Sequence, residues 1–450
     1  MLDRWLDQAG RRPLVLRGAR QVGKTWLVRD LAARRGRDLV EVNFERNPDV
    51  AIAFASNDLK VILGELSLLE GRPIDPKRSL LFLDEVQARP ELLAKLRWFY
   101  EESPDLPVVA AGSLLEFELA APRSSMPVGR VSFLHIEPMG FDEFLIAHDQ
   151  QALLDAITAW RPSSDPLSPI AQQQATAWWH RYAMVGGMPA VVAADVAGEW
   201  PRHCRTLQSD LMAAFRADFA KYSGRMDRAV LDAVLLAVAR SIGSKFVYSH
   251  VGQGVKHHQA KAALERLAAA RVCHIVPHTA ANGLPLGAEI KPRLRNALLG
   301  DVGLLHAVLS TPAADRFPDL ESLAPKLRGQ LADQLVGQSL RLAADQSSGD
   351  GPELYYWQRV GGGSGEIDYV LALQGRVVPV EIKAGAAGAM KSLHQFMHDK
   401  GLDLAVRCDA NPPSQMTVDV TTTQGDPVSY TLVSLPHYLV FNLTSILGGG

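Results

Sequence analysis

Gly18 to Thr25 spells Gly-x4-Gly-Lys-Thr within the stretch LVLRGARQVGKTWLV. Two glycines, a lysine and a hydroxyl at this spacing suit one chemistry, the holding of a polyphosphate. Gly18 and Gly23 let the backbone curl until successive N–H groups converge on phosphate oxygens. A helix beginning near Lys24 adds its positive end. Lys24 is expected to reach the β- and γ-phosphates, and Thr25 to ligate Mg²⁺ through its hydroxyl. The expected ATP contacts are Gly18, Ala19, Arg20, Gln21, Val22, Gly23, Lys24, Thr25 and Trp26.

A second stretch, SLLFLDEVQ at 79–87, is an apolar run closed by Asp84 and Glu85. Asp84 is expected to hold the magnesium, and Glu85 to orient or activate the attacking water. With the glycine loop this makes a Walker A and Walker B pair, a hydrolytic ATP site that uses Mg²⁺. Ser113, after the run LPVVAAG, stands where a polar side chain would sense the γ-phosphate; it is equally a good N-cap for LLEFEL. Arg123 or Arg130, on the segment beyond, would stabilise transition-state charge, in the same chain or in a neighbouring copy of a homo-oligomer.

Chemistry of another kind sits near the end of the chain. In VVPVEIK, Glu381 and Lys383 are two residues apart and so project from one face of a strand, with Val378, Val380 and Ile382 opposite. In EIDYVLAL, Ile367, Tyr369 and Leu371 leave Asp368 on the other face. An Asp, a Glu and a Lys on adjacent strands suit a metal-dependent phosphodiesterase, the carboxylates binding Mg²⁺ and the lysine positioning water. Asp333, in LRGQLADQLVGQSL, is a candidate further acid. The same residues also read as an ordinary exposed charge pair on a strand.

These residues require particular elements to position them. Residues 1–145 alternate apolar strands and amphipathic helices, as in a parallel α/β sheet. PELLAKLRWFYEES (90–103) reads as one helix started by Pro90, and GRVSFLHIEPM as a strand from Gly129. Residues 146–225 read as a helical lid or linker, broken at Gly186-Gly187. From 226 to 300 the order of helix, polar turn, small helix, longer helix and strand matches a winged helix-turn-helix. Its longer helix carries Lys256, His257, His258, Lys261 and Arg266; it would enter a nucleic-acid groove, DNA before RNA, or serve as a protein-contact module. Residues 301–450 read as strand, turn, strand, turn, strand and helix, a restriction-endonuclease-like α/β domain.

Composition places the chain without naming a task. Its 450 residues, 47% apolar and 21% charged, suit several globular domains, and a net charge of −2 advertises no polyanion binding overall. Three cysteines lie far apart at no metal or redox spacing. With no signal-like opening and no apolar run of membrane length, the expected place is the cytoplasm, with no membrane partner.

The motifs together resemble a widespread family of bacterial and archaeal AAA+ P-loop ATPases that carry an uncharacterised C-terminal domain with a nuclease-like core. GARQVGKT, LFLDEVQ, AAGSLLEF, VGRVSFLHIEPMGFDEFL, GGMPAVV, DVGLL, YYWQR…EIDYVL and VPVEIKAG carry the likeness, in order, across about residues 15 to 400. The resemblance implies ATP contacts at Gly23, Lys24 and Thr25, and metal and hydrolytic roles for Asp84 and Glu85. Two positions depart from it: Ala19 where proline is usual, and Asp333, with its shorter reach, where glutamate is usual.

Overall fold

The computed structural model describes residues 1–112, 127, 129–222, 227–311, 320, 323–343, 353–360, 365–386 and 388–448. It divides into two compact units, one spanning Met1–Glu137 and the other holding the bulk of the chain from Pro138.

The first unit is built on five parallel strands. These are β1 (Leu14–Arg17), β2 (Asp38–Asn43), β3 (Ser79–Asp84), β4 (Val108–Ala111) and β5 (Ser132–His135), in the order β2-β3-β4-β1-β5. Every residue of β3 is buried, as a parallel strand covered on both faces must be. On one face Val15, Val42, Leu81, Leu83 and Val108 pack with α3 (Leu59–Glu70) and α4 (Leu96–Glu102). On the other, Leu14, Leu16, Leu80, Phe82 and Val109 pack with α1 (Leu2–Asp7) and α2 (Lys24–Arg34). The single helix expected over 90–103 is instead a 3₁₀ turn, Pro90–Lys95, running into α4. The strand expected from Gly129 begins at Ser132.

The second unit opens with helices: α5 (Phe141–Ala147), α6 (Gln151–Thr158), α7 (Pro169–Val185), α8 (Pro189–Val196), α9 (Arg202–Tyr222) and α10 (Arg228–Ser241). The break at Gly186-Gly187 falls between α7 and α8. Gly187 permits a close approach there, since a Cβ would stand 2.0 Å from the Met139 carbonyl oxygen. A 3₁₀ turn at Tyr248–His250, α11 (His257–Ala269) and the antiparallel pair β6 (Cys273–Thr279) and β7 (Ile290–Leu299) follow. After α12 (Val302–Leu309) and α13 (Pro325–Ala343) come β8 (Tyr355–Gln358), β9 (Glu366–Leu373), β10 (Arg376–Ile382), α14 (Lys391–Lys400), β11 (Leu404–Asp409), β12 (Ser414–Thr421), β13 (Pro427–Pro436) and α15 (Leu443–Gly448).

All eight strands of this unit share one sheet, ordered β12-β13-β11-β10-β9-β8-β6-β7. A single residue pair, His278 with Tyr356, joins the β6–β7 hairpin to the rest. β8, β9 and β10 are antiparallel neighbours, and β10 then pairs in parallel with β11 after α14. Leu393, Phe396 and Met397 of α14 cover the sheet, with the Phe396 ring 4.9 Å from that of Trp357. The one-sided alternation read in VVPVEIK is not what forms. β10 lies inside the sheet and all its residues from Val377 to Ile382 are buried, so Glu381 is in the interior.

Candidate nucleotide site and acidic cluster

The loop after β1 has the geometry the glycine spacing demands. Gly18 adopts φ +143°, and a Cβ on it would stand 2.1 Å from the carbonyl oxygen of Ile136. Gly23 caps α2 at φ 92°, and Gln21 also takes a positive φ of 64°. Ala19 and Val22 are buried against the unit, while Trp26 is 66% exposed. Lys24 is buried, and its Nζ donates to the carbonyl oxygens of Gly18 (3.0 Å) and Ala19 (2.7 Å). Its ammonium thus spans the mouth of the loop. Burial pulls the Lys24 pKa down to about 8, against the opposing pull of Glu85 and Asp84.

Sheet order brings the acids to the loop. β4 separates β1 from β3, so Asp84 and the loop lie at the same carboxyl edge of the sheet, where α/β sheets bind ligands. The Thr25 hydroxyl donates to Asp84 Oδ2 at 3.2 Å. A hydroxyl and a carboxylate side by side are hard oxygen donors of the kind Mg²⁺ takes, with the remaining positions left to phosphate and water, so this pair fits the ion. Burial, then the charge of Glu85, pushes the Asp84 pKa up.

Two polar residues here were not singled out in the sequence. Asn43 ends β2 in register with Asp84 and donates to its Oδ2 at 3.2 Å. Gln87 is buried and donates to Glu85 Oε2 at 2.5 Å, while its Oε1 lies where a Cβ on Gly112 would be, 2.2 Å away. Gln87 therefore ties the water-activating candidate to the end of β4. The available signal was a polar side chain at a strand end, next to a carboxylate. Glu85 itself holds a positive φ of 52°, a conformation sparsely used by such residues.

Ser113 and Arg123 lie outside the described residues. Arg130 has another partner than the loop: its Nε donates to Glu101 Oε1 at 2.8 Å at the surface.

In the second unit, Asp333, Asp368, Glu381 and Lys383 share one electrostatic neighbourhood, and Glu366 joins them. Burial, then Glu366 and Glu381, pushes the Asp333 pKa up to about 7, with Lys383 opposing. Burial, then Asp333 and Glu381, raises that of Asp368. Glu366 was passed over in the sequence although, two residues before Asp368, it shares that face. These carboxylates do not form the expected magnesium site. Lys383 Nζ is 2.5 Å from Glu381 Oε1, Asp368 Oδ2 accepts the Ile382 N–H at 2.6 Å, and the Asp333 carboxylate lies against Gly243. Each acid is engaged separately. Among the described residues no three carboxylate, imidazole or thiol side chains are grouped to hold a metal ion.

On α11, Lys256, His257, His258 and Lys261 are exposed and Arg266 is half-buried. Lys291 and Arg293 are exposed on β7. All three cysteines are buried and unpaired, and no helix among the described residues is long and apolar enough to cross a membrane.

Comparison with known proteins agrees with the first unit. Residues 10–145 match the model of an AAA domain, and this part of the chain is an AAA-type ATPase domain on a parallel α/β sheet. Residues 176–315 and 328–436 match two domains of unknown function, DUF8612 and DUF4143. No curated protein matches the sequence. Among solved structures, the chain is similar to the Walker-type ATPase PABY2304 of Pyrococcus abyssi, at 14% identity and TM-score 0.42, covering 68% of this chain and 93% of that one. It is also similar to Cdc6p from Pyrobaculum aerophilum, at 15% identity and TM-score 0.23, covering 69% and 90%.

Proposed function

We propose that this protein is a Mg²⁺-dependent ATPase of AAA+ type whose nucleotide cycle governs the engagement of nucleic acid, DNA before RNA, by its C-terminal half. The observation that carries the ATPase reading is the convergence of Lys24, Thr25, Asp84 and Glu85 at one edge of the parallel sheet. In this reading Lys24 leaves the Gly18 and Ala19 carbonyls for the β- and γ-phosphates. Thr25 and Asp84 hold the magnesium, which neutralises phosphate charge. Glu85, steered by Gln87, orients the attacking water. Ser113 would contact the γ-phosphate, and Arg130 would serve a neighbouring copy in a homo-oligomer. The protein would work in the cytoplasm.

What supports a nucleic-acid partner is the helix pair and hairpin from α10 to β7, with its exposed cations on α11 and β7, and the mixed sheet β8 to β11 with a helix before and within it. We read these as a winged helix and a restriction-endonuclease-like domain. Phosphate release from MgATP, measured with and without single- and double-stranded DNA and RNA, tests the proposal. Lys24→Ala should lose nucleotide binding, and Glu85→Gln should bind but hydrolyse slowly. Stimulation by no nucleic acid would remove the partner.

A second reading has its own observation. The closed Glu381–Lys383 pair and the separately engaged acids favour a C-terminal half that binds without cutting, under a nucleotide switch. A cleavage assay with Mg²⁺ or Mn²⁺, run beside Lys383→Ala, separates the two. Cleavage lost in the variant returns Asp368, Glu381 and Lys383 to a catalytic role.

A further inference from the structure

A cavity of about 250 Å³ lies wholly within the second unit, between α7, α13, the end of β11 and the turn that follows β13. Its walls are apolar and partly aromatic, with Trp179, Leu335, Pro436 and Tyr438 buried around it and Thr176 exposed at its rim. Ala384 also lines it, so the cavity begins one residue beyond Lys383.

Its polar equipment is sparse and specific. Nε2 of His437 is buried and has no hydrogen-bond partner among the described residues. The ring also faces the carbonyl oxygens of Lys383 and Cys408, which take the proton of Nδ1. Nε2 is then left with a lone pair and nothing to accept from. Burial holds this histidine neutral, pulling its pKa down to about 4. Arg328 and His180 line the same cavity and bring donors to its wall. Asp409 lines it as well but is already engaged, by Arg407 Nε at 2.6 Å and by the Asn411 N–H at 2.8 Å.

One acceptor that lacks a donor, donors on the wall and aromatic surroundings describe a small flat ligand with both N–H and carbonyl or ring-nitrogen edges. An unpaired nucleobase has that chemistry, and nucleic-acid proteins read such bases by hydrogen bonds to their edges within aromatic-lined pockets. We propose that this cavity receives one unpaired nucleobase, of a free nucleoside or of a splayed single strand, with His437 Nε2 accepting its exocyclic or ring N–H. For a strand, the inference rests on the nucleic-acid reading above and deepens it, because it sets the base beside the Glu381–Lys383 segment.

The test is fluorescence titration with 2-aminopurine riboside and, separately, with a short oligothymidylate carrying one 2-aminopurine. A riboside has no phosphates, so the loop at Gly18–Thr25 has nothing to hold. Wild-type protein should quench at least one probe saturably. His437→Ala should weaken that binding about tenfold, the loss of one hydrogen bond in a dry pocket. Thr176→Trp fills the mouth from an exposed position, so it should abolish binding while MgATP hydrolysis stays at the wild-type rate. Riboside binding without strand binding upholds the cavity and removes the nucleic-acid reading. Strand binding that neither variant changes overturns the cavity and leaves that reading standing. No saturable quenching of either probe overturns the cavity outright.

Discussion

Replacing Gly18 by alanine tests the geometry of the nucleotide loop more sharply than deleting a charge, because the structure separates its two costs. The first is conformational: φ +143° is a region that side chains rarely enter, costing ~1–3 kcal/mol. The second is steric, since the new Cβ would sit 2.1 Å from the Ile136 carbonyl oxygen, more than an ångström inside ordinary contact. Ile136 cannot simply yield, because its N–H is bonded to the Arg17 carbonyl at 2.8 Å and it directly follows β5. The loop must move instead, and relief of such overpacking adds ~1–3 kcal/mol. Gly71→Ala supplies the control. Gly71 caps α3 at φ +66° with nothing within 4 Å of a Cβ, so it carries the conformational cost alone, ~1 kcal/mol. Urea unfolding and equilibrium binding of MgATP should therefore split the two variants. Gly71→Ala should lose about 1 kcal/mol with ATP affinity unchanged, whereas Gly18→Ala should lose ~3 kcal/mol and about a hundredfold in affinity, as an ångström of misplacement does. Equal behaviour of the two variants in both assays would refute the reasoning.

Asp301 is wholly buried, accepting from Gly187 N–H (2.7 Å), Gly303 N–H (2.8 Å) and Gln338 Nε2 (3.2 Å), so Asp301→Asn should turn an amide donor on donors and lower stability by ~2–3 kcal/mol in chemical unfolding. His306 is also buried, its Nε2 2.8 Å from the Ala183 carbonyl oxygen, and burial pulls its pKa down to about 4. Above pH ~6.5 both folded and unfolded forms are neutral; between ~6.5 and 4 only the unfolded chain takes up the proton, so stability falls by about 1.4 kcal/mol per pH unit, and His306→Gln should remove that slope from the difference between unfolding curves. If α11 meets nucleic acid, Lys256→Ala and Lys261→Ala should each weaken binding uniformly across sequences and lower the salt slope by about one, read from affinity against salt concentration.

Much of the first unit was legible because its determinants are local. The spacing of Gly18, Gly23, Lys24 and Thr25 specifies backbone conformation and side-chain reach within eight positions, and a buried strand ending in Asp84-Glu85 announces itself by composition. The break at Gly186-Gly187 and the helices over Pro325–Ala343 and Lys391–Lys400 follow from equally local signals. Pattern alone misjudged β10, where Glu381 and Lys383 looked like a solvent-facing pair. A strand with neighbours and covering layers on both sides buries its polar residues regardless of their alternation.

Distance in the chain explains what remained hidden. Asn43, Gln87 and Glu366 carry no motif, and they matter only because sheet register sets them beside Asp84, Glu85 and Asp368. The carboxylates were countable in the sequence, but whether they gather round one ion depends on ångström-scale placement, and here Lys383, the Ile382 N–H and Gly243 engage them one by one. The cavity at His437 is the extreme case, since its walls come from four elements between Thr176 and Tyr438. The sequence by itself thus determined the chemistry of the nucleotide loop and its carboxylate strand, because that chemistry is written in consecutive residues. Only the tertiary structure decided which acids are free to act and where an empty, partly polar pocket opens, because burial and hydrogen-bond competition are properties of residues brought together from afar.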